Sequence, residues 1–308
     1  MGRSAVFLLL LLAGLFQAKA QDLPQPSSGR IVRIDAFLSA HIGKRRIDVW
    51  LPDGFKDDGS QLHSVLYMHD GENLFDPKVT WNHQSWGIPE VLGRLIAEGK
   101  VPPTIVVGVW NAGSNRWREY APMPAYRGMS LWQKVKFHIR NGRGPYSDDY
   151  LDFLAFELKP YIDRHYPTAS DPRHTATMGS SMGGLISIYA MARNPEIFGA
   201  AAGLSTHWPV TGSEADDAAK TPAGVAFRAY LANKLPDPAT HRLYYDHGTE
   251  GLDALYEEPQ KLMDEIVKAK GYVQPGNWMS MIFQGQTHNE DSWRSRVEIP
   301  LTFVLHEE

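Results

Sequence analysis

The segment Ala176-Thr-Met-Gly-Ser-Ser-Met-Gly-Gly-Leu185 is the most informative stretch of the chain. It contains the pattern GxSxG, from Gly179 to Gly183, between a strand-like run and a helix-like run. A serine on a tight turn between a strand and a helix is exposed at the end of the strand, at the top of the sheet. Small residues two positions away on either side let the two backbones approach. The pattern therefore predicts Ser181 as a nucleophile, with the backbone N–H of Met182 facing an oxyanion. A glycine-rich helix start without chemistry is the alternative interpretation.

Apolar runs on both sides of this turn alternate between strand-like and helix-like spacing. Strands are predicted over residues 31–38, 46–51, 65–68, 103–110, 175–178, 198–204, 242–246 and 278–283. Helices are predicted over residues 88–98, 149–165, 185–192 and 259–270, with Pro160 kinking or shortening the second, and a terminal helix begins near Ser292, limited by Pro300. The order predicts an α/β fold with a mostly parallel central sheet and helices on both faces.

Two segments, residues 121–147 and 205–239, fit no simple strand or helix unit. Long insertions after strand ends usually lie over the active site. Each carries a tryptophan, Trp132 and Trp208, which we predict as stacking surfaces for a sugar or an aromatic acyl group, with packing inside the insertion as the alternative. The basic stretch 134–143 either attracts an anionic substrate such as a ferric catecholate or is a solvated loop.

Composition indicates one large globular domain over residues 21–308. The 308 residues include 43% hydrophobic and 21% charged residues, and the formal charge of -4 argues against broad nucleic-acid binding. No segment after residue 20 has the length and apolar character of a membrane-spanning helix. The expected partner is a small-molecule or carbohydrate substrate, and the oligomeric state is open.

The first 20 residues have the features of a secretory signal peptide. Arg3 precedes an apolar run of about twelve residues, shorter than the roughly 20 of a spanning helix. Ala18-Lys19-Ala20 forms an AxA cleavage site. The chain has no cysteine, which excludes disulfides and a thiol nucleophile. These features predict a periplasmic or secreted bacterial protein, with a membrane anchor as the alternative.

A nucleophilic serine needs a general base, and the base needs a carboxylate that holds its tautomer. His288 is the first candidate for the base because it lies in a polar loop between the last strand and the terminal helix; His247, at a strand end, is the second. The loop after the penultimate strand offers Asp253 as the first candidate for the acid and Glu250 as the second. Spacing does not rank these carboxylates, and each is alternatively a solvated loop charge or a helix cap.

A second oxyanion donor is expected in the loop that begins His69-Asp70-Gly71-Glu72-Asn73, after the third strand. The backbone N–H of Gly71 or of Glu72 would pair there with that of Met182. The alternative is a tight turn alone. No HxxxH or HExxH pattern occurs, so we expect no metal and no cofactor.

These motifs together resemble the α/β hydrolases of the family named Putative esterase, which includes esterase D, feruloyl and acetyl-xylan esterases, enterochelin-type siderophore esterases and mycolyltransferases. The resemblance extends from about Val32 to Phe303. The motifs that carry it are His69-Asp-Gly-Glu-Asn-Leu-Phe-Asp76, Arg118-Glu-Tyr120, Tyr150-Leu151, Glu157-Leu-Lys-Pro-Tyr-Ile162, Gly179-Ser-Ser-Met-Gly-Gly184, Gly248-Thr-Glu-Gly-Leu-Asp253 and His288-Asn-Glu290 with Trp293. The resemblance implies Ser181 as nucleophile, His288 as base and an acid in the 250–253 loop.

The sequence therefore predicts an exported serine carboxylic-ester hydrolase. An acyltransferase to a carbohydrate acceptor is the nearest alternative, since a sugar hydroxyl can replace water in releasing the acyl group. A non-catalytic carbohydrate- or siderophore-binding protein on the same scaffold is the alternative from another class.

Overall fold

The computed structural model describes residues 22–210 and 218–306 of the chain. The predicted signal peptide lies outside the described residues. Every strand and helix named below falls between Arg30 and Leu305. Within the described residues, no helix has both the length and the apolar character needed to cross a bilayer.

Eight strands form one sheet in the order β1-β2-β4-β3-β5-β6-β7-β8. Strands β1 and β2 pair antiparallel with each other, β2 pairs antiparallel with β4, and the other neighbours are parallel. The strands are β1 Arg30–Phe37, β2 Arg45–Leu51, β3 Ser64–His69, β4 Thr104–Val109, β5 Thr175–Ser180, β6 Ala200–Leu204, β7 Arg242–Gly248 and β8 Trp278–Phe283. The predicted α/β class with a mostly parallel sheet is confirmed.

Eleven α-helices of the described residues surround this sheet. They are α1 Ile88–Ala97, α2 Arg116–Tyr120, α3 Met123–Gly128, α4 Leu131–Asn141, α5 Ser147–Asp152, α6 Lys159–His165, α7 Met182–Arg193, α8 Pro222–Lys234, α9 Glu257–Ala269, α10 Glu290–Arg296 and α11 Glu298–Leu305.

The sheet is covered on both faces, which explains the continuous apolar runs of its central strands. Along β3, Val65 and Tyr67 belong to one buried cluster, whereas Leu66 and Met68 belong to the other, because successive side chains of a strand point to opposite faces. Helix α7 packs into the first cluster, and helices α1 and α11 pack into the second. The sheet is therefore fixed from both sides, and its strand ends are a rigid base for a site.

The helix predicted over 149–165 is present, and a π-helical stretch, Phe153–Leu158, interrupts it between α5 and α6 shortly before Pro160. The prediction that Pro300 limits the terminal helix is wrong. Pro300 lies in the first turn of α11, which continues to Leu305. A proline in the first turn of a helix lacks only an N–H that has no intrahelical acceptor, so it does not limit the helix.

The two insertions are helical and pack against each other. The first contains α3 and α4, and the second contains α8. A Cβ atom added at Gly128, at the end of α3, would lie 2.1 Å from the Cβ atom of Ala226 in α8, so only glycine fits there. The ring of Phe227 in α8 meets the ring of Tyr189 in α7 edge to face at 6.1 Å between centroids. The insertions are thus joined to the helix that follows Ser181.

Candidate active site

Ser181 has a strained backbone at the turn between β5 and α7. Its φ of 57° and ψ of -122° are unusual for a residue with a side chain. Such conformations persist only where surrounding contacts fix them, and they concentrate at functional sites. Here the N–H of Ser181 donates to the carbonyl of Leu204 at the end of β6 (2.9 Å), and its carbonyl accepts from the N–H of His207 (3.2 Å). The neighbouring strand therefore holds the serine in this conformation.

The glycines around Ser181 are required by close backbone contacts. A Cβ atom at Gly179 would lie 2.7 Å from the carbonyl carbon of Gly183, which a protein interior does not accommodate. A Cβ atom at Gly184 would lie 2.9 Å from the Cα atom of Gly203 in β6. The GxSxG spacing thus has a direct steric cause: the end of β5 and the start of α7 touch through their backbones.

We expect Gly179→Ala to destabilise the fold, because its Cβ atom has to push backbone atoms apart. Overpacking of this kind costs about 1–3 kcal/mol. Thermal unfolding should show a clearly lower Tm for this variant. Gly43→Ala is the matched control, since a Cβ atom at Gly43 meets nothing within 4 Å and its φ is not in the left-handed region. Equal Tm values for the two variants would contradict the steric account.

Met182 and the turn after β3 lie next to each other. Met182 is the first residue of α7, so its N–H belongs to the helical turn that has no intrahelical acceptor. Asp70 has a left-handed backbone (φ 56°, ψ 48°) and begins a short 3₁₀ turn, Gly71–Asn73. A Cβ atom at Gly183 would lie 3.3 Å from Oδ2 of Asp70, so the two turns are in contact.

A partly buried ion pair fixes the turn after β3. Arg116 donates from Nε to Oδ1 of Asp70 (2.6 Å) and from a terminal nitrogen to Oδ2 (2.7 Å), and Asn111 donates to the same carboxylate at 2.8 Å. Burial alone would raise the pKa of Asp70, but the charge of Arg116 and these hydrogen bonds hold it below its usual value. Asp70 therefore stays ionised, and the bidentate pair fixes the backbone of the turn.

Glu72 lies beside this ion pair, and its pKa is raised. Asn111 donates its backbone N–H to Oε2 of Glu72 (3.2 Å), and its side-chain amide donates to Oε1. Burial and the charge of Asp70 raise the pKa of Glu72 to about 7.

His69, the residue before the turn, is buried as well. Burial lowers the pKa of His69 to about 4, and its Nδ1 lies 2.8 Å from the hydroxyl of Tyr150. A neutral, fully buried His69 is a packing element of this turn.

We expect Glu72→Gln to change how stability depends on pH. The carboxyl ionises near pH 4.5 when unconstrained and near pH 7 in the fold, so the folded chain binds more protons between these values. The protonated carboxyl of Glu72 therefore stabilises the fold fully below about pH 4.5, and this stabilisation is lost as the pH rises through 7. Glutamine cannot ionise, so the stability of the variant relative to the unmodified protein should increase from pH 5 to pH 8. Denaturant unfolding at several pH values measures this difference, and parallel stability curves would contradict it.

Asp253 and His288 form a hydrogen-bonded pair beyond the ends of β7 and β8. Nδ1 of His288 lies 2.5 Å from Oδ1 of Asp253, whose side chain is fully buried. Burial alone would raise the pKa of Asp253, but hydrogen bonds from His288, Ser205 and the backbone of Gly248 keep it below its usual value. An ionised carboxylate only accepts, so the proton lies on Nδ1 of His288 and leaves Nε2 as the basic nitrogen.

Three further side chains surround this pair and hold the carboxylate. Oγ of Ser205 donates to Oδ2 of Asp253 at 2.5 Å, next to the N–H of Gly248 at 2.7 Å. Trp293 and Arg296 each donate to Oγ of Ser205 at 2.9 Å, which orients the hydroxyl toward Asp253. Ser205 and Arg296 were not among the predicted site residues. The position of Ser205 directly after β6, the strand next to the one that leads to Ser181, is the signal that could have indicated it.

Ser181 and His288 are connected through shared neighbours. His207, whose N–H binds the carbonyl of Ser181, has Nδ1 2.7 Å from the hydroxyl of Tyr256. The ring of Tyr256 in turn meets the ring of His288 edge to face at 5.8 Å between centroids. The ring of Trp117 packs against His207 at 5.7 Å. The turn that carries Ser181 and the Asp253–His288 pair therefore lie at one end of the sheet.

The other predicted residues lie in different surroundings. Glu250 is exposed and precedes the short turn Gly251–Leu255, whereas the carboxylate that Nδ1 of His288 contacts is that of Asp253. His247 is buried in β7, and its Nδ1 lies 2.5 Å from the carbonyl of Gly248.

The two tryptophans predicted as substrate contacts differ in exposure. Trp208 is only 1% exposed and packs edge to face on Tyr245, so its ring has no open face for a ligand, whereas Trp132 is 64% exposed on α4. A substrate contact through Trp132 stays a prediction, and the burial of Trp208 does not favour one. No group of three or more potential metal-binding side chains occurs among the described residues.

Two proteins are similar to this chain in sequence. The chain is 28% identical over 173 residues to the uncharacterised protein YbbA of Bacillus subtilis, covering 56% of this chain and 61% of that protein. It is 25% identical over 297 residues to an endo-1,4-β-xylanase/feruloyl esterase of Xylanibacter ruminicola, covering 92% of this chain and 32% of that protein. The matches thus span less than two thirds of the length of either relative.

Solved structures share the fold. A ferulic acid esterase from Anaeromyces mucronatus superposes with a TM-score of 0.63 at 18% identity, covering 90% of this chain and 92% of that chain. The enterobactin esterase of Shigella flexneri superposes with a TM-score of 0.63 at 18% identity, covering 94% of this chain and 62% of that chain. The model of the family described as Putative esterase matches residues 39–297. The chain therefore belongs to the Putative esterase family and has the fold of the α/β hydrolases.

Proposed function

We propose that the protein is a serine carboxylic-ester hydrolase that works through an acyl-enzyme on Ser181. The observation that carries this proposal is the contact between the buried Asp253 and His288, because it creates a basic nitrogen at the sheet end where Ser181 lies. A histidine with a purely structural role does not require a fully buried carboxylate such as that of Asp253, which accepts from His288, Ser205 and Gly248. This arrangement matches the requirement of nucleophilic catalysis for a base whose orientation is fixed by an acid.

The proposed reaction uses these groups in two steps. In the first, Nε2 of His288 takes the proton of Ser181 as Oγ attacks the ester carbonyl, and His288 then protonates the departing alcohol. In the second, His288 removes a proton from a water molecule as this water attacks the acyl carbonyl. The bond to Oγ of Ser181 then breaks, His288 returns the proton to Oγ, and the acid is released. Asp253 stabilises the imidazolium in both steps. The N–H of Met182 and that of Gly71 or Glu72 would stabilise the oxyanion, and the Asp70–Arg116 pair would hold the second of these donors in place.

The substrate class we propose is a carbohydrate-linked or siderophore ester. Support comes from the names of the relatives and structural neighbours, a feruloyl esterase, a ferulic acid esterase and an enterobactin esterase. The partly exposed ring of Trp117, which packs against His207 next to the turn that carries Ser181, suits an aromatic acyl group. We also propose export to the periplasm or the medium, supported by the signal-like residues 1–20.

A panel of esters tests the proposal. Purified protein is offered short-chain aryl, feruloyl-sugar, acetyl-sugar and catecholate siderophore esters, with and without a carbohydrate acceptor, and the products are identified by mass spectrometry. We expect the free acid to form at the same rate with and without the acceptor. An acylated acceptor as the main product would replace hydrolysis by acyl transfer. No turnover of any ester, combined with specific binding of one of them, would overturn the enzymatic proposal in favour of a binding protein.

A further inference from the structure

Helix α4, Leu131–Asn141, exposes an apolar stripe that no described residue covers. Leu131, Trp132, Val135 and Ile139 are 81%, 64%, 39% and 78% exposed. At 3.6 residues per turn, these four side chains lie within an arc of about 100° of the helix. Phe137, the one buried residue of α4, lies on the opposite side. The helix is therefore attached to the protein along one side and presents an apolar stripe along the other.

Basic residues border this stripe on both sides. Lys134 and His138 lie on one side, and Lys136 and Arg140 lie on the other. The insertion that contains α4, residues 121–147, includes five lysines and arginines and no aspartate or glutamate, although the whole chain has a formal charge of -4. Such a helix, with an apolar stripe between cationic borders, is typical of helices that lie in the interface of an anionic membrane.

The helix also lies next to the candidate active site. The guanidinium of Arg140 stacks over the ring of Trp117 at 5.0 Å, and Trp117 packs against His207. His207 in turn binds the carbonyl of Ser181. A surface that α4 contacts would therefore be close to the serine turn.

We propose that α4 docks the protein onto an anionic lipid surface. The stripe of Leu131, Trp132, Val135 and Ile139 enters the headgroup region, and Lys134, Lys136 and Arg140 contact anionic headgroups. A second copy of the chain is the less favourable occupant, since a symmetric contact between two α4 stripes would bring their cationic borders together. This inference goes beyond the proposed esterase function and does not depend on it.

Vesicle sedimentation tests the proposal. A chain that starts at Gln21, which contains every described strand and helix, is mixed with vesicles of phosphatidylglycerol and phosphatidylcholine or of phosphatidylcholine alone. We expect binding to the anionic vesicles, weaker binding in high salt, and little binding to phosphatidylcholine. The variant Leu131→Ser/Val135→Ser/Ile139→Ser should bind at least tenfold more weakly. The matched control Leu38→Ser/Leu62→Ser/Val273→Ser, which removes similarly exposed apolar residues elsewhere, should bind as the unmodified chain does.

The charge contribution is tested separately. Lys134→Gln/Lys136→Gln should weaken binding by roughly 25-fold, because each basic residue near an anionic surface contributes about fivefold to partitioning. Lys44→Gln/Lys234→Gln, two exposed lysines outside the insertion, should have little effect. Circular dichroism and the Tm of each variant establish that it is folded.

Three outcomes would overturn the proposal: no sedimentation with anionic vesicles, equal binding of the stripe variant and its control, or self-association that the stripe variant abolishes while no vesicle is bound. The last outcome would assign the stripe to a second copy of the chain. Because binding is measured without substrate, inactivity of the protein toward esters leaves this result unaffected.

Discussion

Replacing Ser181 by alanine should lower kcat for a short-chain aryl ester by roughly 10⁴-fold or more. The variant removes the atom that we propose attacks the carbonyl, so His288 has no hydroxyl to activate. What activity is left would come from substrate binding and the oxyanion donors alone. Steady-state kinetics on protein checked for folding measures this loss.

Ser180→Ala is the matched control for this experiment. Ser180 is the neighbouring residue, the last of β5, and is buried, so its replacement alters the same stretch of chain without removing the residue at the strained position. We expect its kcat to stay within a few-fold of the unmodified protein. If Ser181→Ala kept activity within tenfold, or if both variants lost it equally, Ser181 would not be the nucleophile.

Replacing Asp253 by asparagine should lower kcat on the order of 10⁴-fold, with a much smaller change in KM. An asparagine can offer its amide N–H to Nδ1 of His288, and the imidazole then has its proton on Nε2, where it cannot accept from Ser181. Because Asp253 is fully buried behind His288, it does not line the surface on which substrate would bind, so KM is expected to change little. Steady-state kinetics with the same aryl ester separates kcat from KM.

Glu250→Gln is the control that distinguishes the two carboxylates. Glu250 is exposed and precedes the turn that carries Asp253, so its loss should leave kcat nearly unchanged. A large loss for Glu250→Gln together with near-normal kcat for Asp253→Asn would assign the acid role to the other carboxylate. Tm values are needed for both variants, because Asp253 also accepts from Ser205 and Gly248.

The fold could be predicted from the sequence because its central strands are short, fully buried apolar runs. The buried strands β3, β4 and β5 leave few alternatives to a sheet covered on both faces. The GxSxG turn was predictable for a steric reason, since Gly179 and Gly183 touch through their backbones. Local effects of proline were harder to predict, because whether Pro300 ends a helix depends on whether it falls in the first turn or the middle.

The candidate site was only partly predictable. The choice between Asp253 and Glu250 could not be made from spacing, because it depends on which side of a short turn faces His288. Ser205 was not identified because its hydrogen bond to Asp253 joins residues 48 positions apart in the sequence. The burial of Trp208 could not be predicted either, since it results from packing on Tyr245 in β7.

The most direct measurement of the central claim is covalent labelling by a fluorophosphonate probe, followed by mass spectrometry of the peptides. We predict one label per chain, located on Ser181, with loss of esterase activity in proportion to labelling, and no label on the Ser181→Ala variant. Labelling requires a serine made nucleophilic by its surroundings, so it reports the activation that we attribute to His288 and Asp253. Folded protein that stays unlabelled, or that carries the label at another residue while Ser181→Ala is labelled equally, would contradict the account.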